Sequence, residues 1–357
     1  MGRSDTGSLA KGDKYLKIAV VAPVWVRVPP EQYGGIEVVV NLTVGELVRQ
    51  GKDVTLFATG DAITDAKLRW IYPKAVGFSS GSASFPETHV AWAYSQADEF
   101  DVIHDHAGSA GIAMARLVDK PVVTTLHNNY FVPENPVFFE QNKDNQFYTP
   151  ISDAQKREIP GLNFTRTVYN AIDLAKYPFS DKKEDFLLSL GNLWEVKGHD
   201  TAIKVAKQLG MKLIIAGKLD PKGEEFFNAK VKPEIDGEQI VFEGQISQER
   251  KLELFSKAKA FLFPIRWEEP FGLVMIEAMV CGTPVIAFRH GSVPEVIVDG
   301  KTGFIVDNAE EMAEAVKKVD TISPKACREH VEREFCPERM AECYWEVYAE
   351  VLEKSAR

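Results

Sequence analysis

Short apolar runs of roughly four to eight residues alternate with amphipathic stretches of roughly ten to fifteen residues, from about residue 16 to about residue 320. This rhythm is typical of β-α-β units, in which buried parallel strands are connected by helices that cover the sheet. The chain has 357 residues, of which 45% are hydrophobic and 26% charged, so it is long enough for two such domains. We therefore expect an α/β fold with two doubly wound parallel-sheet domains.

The predicted elements follow the same plan in both halves of the chain. In the first half, apolar runs predict strands at 16–23, 54–58, 102–104 and 122–126, and a helix from about Ile36 that ends at Gly51. In the second half, they predict strands at 186–190, 213–216, 240–242, 260–263 and 284–288 and helices at 199–209, 248–257 and 271–281. Ligands of such sheets bind beyond the carboxyl ends of the strands, so functional groups are expected in the loops there.

Changes in composition along the chain indicate the domain boundaries. Residues 1–15 lack the apolar segment of a signal peptide and are expected to be a disordered leader. A first Rossmann-like domain is expected at 16–172, a linker containing the polar stretch SDKKED at 173–185, and a second domain at 186–336. The amphipathic segment 337–357 is expected to be a helix that packs back on the first domain.

The overall composition excludes several classes of protein. Forty-two Lys and Arg residues stand against 52 Asp and Glu residues, and a net charge of −10 disfavours binding to nucleic acid. Cys281, Cys327, Cys336 and Cys343 have no C-x-x-C spacing, so neither a zinc site nor a disulfide framework is indicated, and a reducing cytosol fits best. No apolar run reaches the ~18 residues of a membrane-spanning helix.

The most informative segment runs from Phe263 to Met279 and contains two carboxylates. Glu277 lies inside an apolar helical run, where a charge is costly without partners, although pairing with an internal cation would also explain it. Glu269 precedes it by two helical turns, or about 12 Å, a span comparable with a ribose at one end and a hexose at the other. Between the two acids, the free amides of Phe271, Gly272 and Leu273 at a helix start favour a diphosphate. The arrangement is the one that a nucleotide sugar requires.

A metal site is not expected. His104 and His106 are expected to face opposite sides of a strand end, which would prevent them from sharing an ion. The chain contains no Asp-x-Asp pair that could clamp a divalent cation. Cationic side chains and helix ends would then stabilise a departing diphosphate, with neither a metal nor another cofactor.

The segment from Glu269 to Glu277 resembles the E-x7-E signature of the family-4 retaining glycosyltransferases, which have the GT-B fold of two Rossmann-like domains facing a cleft. The resemblance is strongest to the bacterial branch that includes the avilamycin-pathway sugar transferase. It extends over nearly the whole chain from residue 16, through YGGIE at 33–37, DVIHDH at 101–106, LH at 126–127, NAID at 170–173 and CGTPVI at 281–286.

The resemblance implies roles for individual residues in the second domain, which would hold most of the donor. Glu277 would bind the ribose hydroxyls and Glu269 the transferred sugar, and Lys197 matches the family's diphosphate lysine. Gly272 and Leu273 would offer backbone amides, and Ile246 matches the position that packs on the base. One departure is Asn192, where the family usually has an arginine whose charge an amide cannot replace. Arg266 is a candidate for the missing cation, although a solvated Arg266 is the simpler interpretation.

In the first domain, which would hold the acceptor, the resemblance concerns three residues. Gly34 and Gly35 would let the backbone and a helix start approach the donor phosphates. His127 matches the position that holds a sugar hydroxyl. The acceptor itself cannot be identified, although residues 128–150 are expected to shape its site.

Two other functions compete with this one. A Rossmann oxidoreductase is disfavoured because no G-x-G-x-x-G follows the first strand, where the loop is APVWVRVPPEQYGG. A non-catalytic nucleotide-sugar binding protein, or an isomerase of the same fold, stays open and is favoured by Asn192. The preferred hypothesis is transfer of a hexosyl unit from a nucleoside diphosphate sugar to an acceptor hydroxyl with retention of configuration. A UDP-sugar is the preferred donor.

Overall fold

The computed structural model describes residues 16–31, 34–78, 81–128, 136–144 and 146–356. The chain folds into two compact units. The first contains Met1–Thr149, Gly161–Arg166 and Ala341–Arg357, and the second contains Pro150–Pro160 and Thr167–Met340. The leader expected at 1–15, Tyr33 of the YGGIE segment and residues 129–135 of the acceptor segment lie outside the described residues.

The first unit is built on a six-stranded sheet with the order β3-β2-β1-β4-β5-β6, in which β3 through β5 pair in parallel. Its strands are β1 (Lys17–Val21), β2 (Asp53–Phe57), β3 (Lys67–Arg69), β4 (Val102–Asp105), β5 (Val122–Leu126) and β6 (Phe147–Pro150). Its helices are α1 (Gly35–Arg49), α2 (Ser84–Tyr94), α3 (Ser109–Met114) and α4 (Pro136–Asn142). The central strands β4 and β5 are buried throughout, although each contains two polar residues, namely His104 and Asp105 in β4 and Thr124 and Thr125 in β5.

The second unit repeats this plan with the sheet order β12-β11-β10-β7-β8-β9, in parallel throughout. Its strands are β7 (Phe186–Leu190), β8 (Lys212–Ala216), β9 (Ile240–Phe242), β10 (Ala260–Phe263), β11 (Val285–Phe288) and β12 (Gly303–Val306). Its helices are α5 (Asp153–Glu158), α6 (His199–Leu209), α7 (Glu224–Phe226), α8 (Gln248–Lys257), α9 (Leu273–Val280), α10 (Val293–Val296), α11 (Ala309–Lys318) and α12 (Pro324–Glu334). The last helix, α13 (Pro337–Ser355), belongs to the first unit from Ala341 onward.

Both sheets have the doubly wound strand order. Successive strands are added on one side of the first strand of the unit, and later strands are added on its other side. The reversal falls between β1 and β4 in the first unit and between β7 and β10 in the second. In open α/β sheets, ligands usually bind beside this reversal, at the carboxyl ends of the strands. The fold therefore directs attention to the loops after β7 and β10.

The strands predicted from apolar runs are present, and they form the two doubly wound six-stranded sheets with flanking helices that the sequence predicts. Sequence analysis missed β3, β6 and β12, which are three or four residues long and contain no run of four apolar residues. The division into units also differs from the expected linker at 173–185, because 150–160 and Thr167 onward already belong to the second unit. Among the described residues, no helix combines the length and the apolar character needed to cross a membrane.

The helix expected at 271–281 begins two residues later, at Leu273. Gly272 is its N-cap and has φ 77°, a left-handed conformation that favours glycine. Glu269 therefore lies in the loop before the helix, and the helical rise of about 12 Å does not describe its separation from Glu277. The apolar sequence continues through the turn, so the pattern alone does not mark the helix start.

Candidate functional site

The loops that follow β7 and β10 pack directly on each other. The amide of Arg266 donates to the carbonyl of Val196 at 2.8 Å. A Cβ atom at Gly198 would overlap the Pro264 carbonyl oxygen, and Gly198 has φ 71°, so glycine is required both by space and by conformation. This close approach brings the short helical turn Glu195–Lys197 next to the loop that carries Glu269.

Lys197 and Glu269 form an ion pair at this junction. The Lys197 Nζ lies 2.6 Å from Glu269 Oε2, and the two side chains are only 17% and 13% exposed. Trp267 donates from Nε1 to the same carboxylate oxygen at 3.0 Å, and its ring lies 5.2 Å from the ammonium group. One oxygen of Glu269 is thus saturated by protein donors, while no described residue donates to Oε1.

Free backbone amides lie between the two acidic residues. Among the described residues, no acceptor contacts the N–H groups of Phe271, Gly272 or Leu273. These groups mark the start of α9, where the helix dipole favours an anion. The Phe271 side chain is buried and packs edge-on against Phe335, so the residue contributes its amide and not its ring.

A neighbouring loop holds this segment in place. Ser292, which is fully buried, donates its amide to the Glu269 carbonyl at 3.0 Å and its hydroxyl to the Phe271 carbonyl at 2.7 Å. Glu268 accepts from the Gly291 amide at 2.7 Å. Hydrogen bonds from this loop therefore hold the backbone of Glu269 and Phe271 in place without a ligand.

Glu277 lies in the second turn of α9 and has two partners. Its Oε1 accepts from the Tyr177 hydroxyl at 2.7 Å and from the Lys251 ammonium at 2.8 Å. The Lys251 and Glu277 side chains are 20% and 14% exposed. The cost of placing a carboxylate in this apolar helix is thus offset by a cation and a hydroxyl.

The remaining residues expected in the second unit lie in the same loops. Ile246 is half-buried against the core immediately before α8, and Asn192 follows β7 with its carbonyl accepting from His199 Nε2 at 3.2 Å. Among the described residues, none forms a hydrogen bond with the Asn192 side-chain amide. Arg266 is held by both oxygens of Asp200, each at 2.8 Å from Nη2, so its charge is already paired.

The first unit places the glycine pair at the start of α1. Gly34 is the N-cap and Gly35 the first residue of this helix. A Cβ atom on Gly34 would lie 2.7 Å from Glu37 Oε2 and 2.9 Å from the Pro30 Cβ, so the backbone is closely packed there. Burial raises the pKa of Glu37 to about 7.

His127 follows β5 and forms part of a histidine cluster. Its Nε2 lies 2.8 Å from Nδ1 of His106, and burial lowers its pKa to about 3, so the ring is neutral. The expectation that His104 and His106 face opposite sides is wrong: residues two apart on a strand project to the same side, and these ring centroids are 4.1 Å apart. His104 is occupied by Tyr348 and Thr125. In the part of the chain that the structure describes, no three His, Cys, Asp or Glu side chains are placed to share a metal ion.

The structure thus brings Lys197, Glu269 and the amides of 271–273 together in the second unit, and it places Gly34, Gly35 and His127 in the first. Sequence analysis missed Tyr177, Lys251, Trp267 and Ser292. Of these, only Trp267 carried a local signal, because it lies two residues before Glu269. Tyr177 and Lys251 are 100 and 26 residues from Glu277, so only the fold shows that they meet.

Two family models match the sequence. The family described as "Glycosyltransferase Family 4" matches residues 33–176, and "Glycosyl transferases group 1" matches residues 173–332. Among curated relatives, N-acetyl-alpha-D-glucosaminyl L-malate synthase of Bacillus anthracis is 28% identical over 212 residues, which are 52% of this chain and 54% of the relative.

Similar solved structures extend over nearly the whole chain. AviGT4, a glycosyltransferase involved in avilamycin A biosynthesis, is 24% identical with a TM-score of 0.71, and the match covers 95% of this chain and 98% of AviGT4. HepE of Anabaena is 16% identical with a TM-score of 0.70, and the match covers 94% of this chain and 100% of HepE. With its two family models together spanning residues 33–332, the chain belongs to the GT-B glycosyltransferases.

Proposed function

We propose that the protein transfers a hexosyl unit from a nucleoside diphosphate sugar to an acceptor hydroxyl, with retention of anomeric configuration. The observation that carries this proposal is the Lys197–Glu269 pair beside the free amides of 271–273. A cation and a helix start suit a diphosphate, and an adjacent carboxylate suits sugar hydroxyls.

The donor would be bound by the second unit. Glu277 would accept hydrogen bonds from the ribose, Ile246 would pack on the base, and Glu269 would bind the hexose through its open oxygen. An ammonium group has three N–H donors, so Lys197 can keep Glu269 and still bind phosphate oxygens. As the glycosidic bond breaks, negative charge grows on the diphosphate, and Lys197 together with the α9 amides would stabilise it without a metal.

The first unit would contribute His127. Its imidazole is neutral and held by His106, so it suits a hydrogen bond to a hydroxyl better than a role as a charged acid. Glu269 and Glu277 are each paired with a lysine, and a carboxylate paired in this way is poorly suited to act as a covalent nucleophile. The proposed route is therefore attack on the same face of the sugar, assisted by the leaving phosphate.

The nucleotide is proposed to be uridine diphosphate. The structure of Anabaena HepE was solved in complex with UDP and glucose, and that chain shares this fold over its whole length. Base contacts in such a site are mostly apolar and backbone contacts, so the comparison, and not a side chain of this protein, supports the choice.

A second candidate is binding of a nucleotide sugar without transfer. Two observations favour it: Asn192 carries no charge, and the charge of Arg266 is paired with Asp200. Lys197 would then be the cation available to the proposed diphosphate position. A single cation would stabilise the developing charge less than two.

One assay separates the two functions. Purified protein is incubated with UDP-, GDP- and ADP-hexoses and a panel of acceptor alcohols, while nucleoside diphosphate release is followed with EDTA present. Transfer predicts release that depends on the acceptor and a product with the donor's anomeric configuration by NMR. Thermal stabilisation by a donor without release would support the binding protein, and an inverted product would contradict the retaining mechanism.

A further inference from the structure

Glu277 is held by two partners that come from elements distant in sequence. Tyr177 follows the turn Leu174–Lys176, and Lys251 lies in the first turn of α8. Both side chains donate to the same atom, Oε1, at 2.7 and 2.8 Å. Among the described residues, no donor contacts Oε2, although Glu277 is only 14% exposed.

We infer that Tyr177 and Lys251 are positioning residues that saturate one oxygen of Glu277 and leave the other open, so that the site selects nucleotides carrying ribose hydroxyls. The inference rests on the proposed function, because it assigns the open oxygen to the ribose of the donor. It concerns how Glu277 is held and oriented, through two residues that touch the acid and not the nucleotide.

The chemistry of the two donors explains the selection. The Tyr177 hydroxyl and the Lys251 ammonium both donate to Oε1, so Oε2 is the oxygen left to accept hydrogen bonds from a ligand. Burial beside Glu277 raises the pKa of Tyr177, which therefore stays a donor at neutral pH. An open carboxylate oxygen has two lone-pair directions, which suit the adjacent 2′ and 3′ hydroxyls of a ribose. A deoxyribose would leave this oxygen half-buried and unpaired, which is costly.

The position of Lys251 also connects two parts of the proposed donor site. Ile246 and Ser247 immediately precede α8, and the Ser247 hydroxyl caps the helix by accepting from the Arg250 amide. The ion pair from Lys251 therefore links α8, which Ile246 closely precedes, to Glu277 on α9. It connects the helix next to the residue expected at the base with the residue expected at the ribose.

The test compares dissociation constants of UDP and 2′,3′-dideoxy-UDP by calorimetry. GDP or ADP with its dideoxy counterpart is used if it binds the wild type more tightly. In wild type we expect the ribonucleotide to bind at least about tenfold more tightly. Tyr177→Phe and Lys251→Met should each lower this ratio by about threefold or more. The ratio cancels the general effect of removing a positive charge, and Tyr177→Phe changes no charge.

Lys257→Met is the matched control. Lys257 lies on the same helix, but it pairs with Glu253 and Glu184 on the exposed side. The ratio of dissociation constants in the Lys257→Met variant should therefore equal that of wild type. Unchanged ratios in both test variants would overturn the inference while leaving the donor assignment intact. If the ratio changed in Lys251→Met but not in Tyr177→Phe, the positioning role of Tyr177 would be overturned. Failure of the wild type to bind any of the three nucleotides would overturn the proposed function and this inference together.

Discussion

At the scale of single residues, Lys197 has to hold Glu269 and also to stabilise a leaving group. It is held in place by the carboxylate and by the rings of Trp267 and Phe263, with the ammonium 5.2 and 5.8 Å from their centroids. This fixed position lowers the entropic cost of using the lysine at the moment when charge develops on the diphosphate.

We expect Lys197→Met to lower kcat by at least about 100-fold with a smaller change in KM, since the interaction strengthens mainly in the transition state. The measurement is initial-rate kinetics of nucleoside diphosphate release. Lys204→Met is the control, because Lys204 lies on the exposed face of α6 and pairs with Glu310. A kcat within about threefold of wild type would show that Lys197 does not act on the leaving group.

The sequence identified these site residues unevenly, for physical reasons. Glu269, Glu277 and the glycine at the start of α9 lie within one short segment, so their chemistry is visible in their spacing. The pairing of Arg266 with Asp200 and of Glu277 with Lys251 depends on which loops the sheet brings together, and spacing does not encode it. The error about His104 and His106 was of another kind, because the two-residue period of a strand already places them on one side.

At the scale of elements, the loop after β7 depends on a buried histidine at the start of α6. His199 donates from Nε2 to the Asn192 carbonyl at 3.2 Å, so its Nδ1 accepts from the Ser189 hydroxyl at 2.9 Å. Burial lowers the pKa of His199 to about 4. Both ring nitrogens have partners while the ring is neutral, and burial disfavours the charged form.

This pKa predicts a loss of stability in acid. The unfolded chain takes up a proton on this histidine near pH 6.5, whereas the folded protein resists until about pH 4, so stability falls as the pH falls between these values. By pH 4 the loss from this residue is about 3 kcal/mol. Chemical unfolding of wild type and His199→Gln across pH 4–8 measures it. The variant should have a shallower acid slope, and parallel curves would contradict the prediction.

Elements were easier to predict than contacts. Strands such as β10 and β11, with the sequences AFLF and VIAF, are almost entirely buried, so they are continuous apolar runs that stand out from their flanks. The edge strand β3, with the sequence KLR, is partly exposed and too short to give a period. The start of α9 could not be placed because the apolar sequence continues through Phe271, and only the left-handed Gly272 marks the boundary.

At the scale of the whole molecule, the first unit is assembled from segments that are far apart in the chain. Its strands all lie in the first 150 residues, yet Ala341 onward belongs to the same unit. In α13, the side chains of Tyr344, Val347, Tyr348 and Val351 are fully buried. The Tyr344 hydroxyl pairs with Thr125 at 3.0 Å and the Tyr348 hydroxyl with His104 at 2.7 Å. The end of the chain thus completes the core beneath β4 and β5.

Truncation after Met340 should therefore unfold the first unit. Burying four large side chains contributes about 6–12 kcal/mol at about 1.5–3 kcal/mol each, which is comparable with the total stability of a typical domain. The second unit ends at Met340 and keeps its own sheet, so it should remain folded. Limited proteolysis followed by mass spectrometry should show rapid cleavage within 16–149 and protection of 186–330. Removal of 354–357 is the control, because the described side chains of that stretch are exposed and their loss should change neither pattern. Equal protection of 16–149 in both truncated proteins would mean that the first unit folds without α13 and that its buried tyrosines are dispensable.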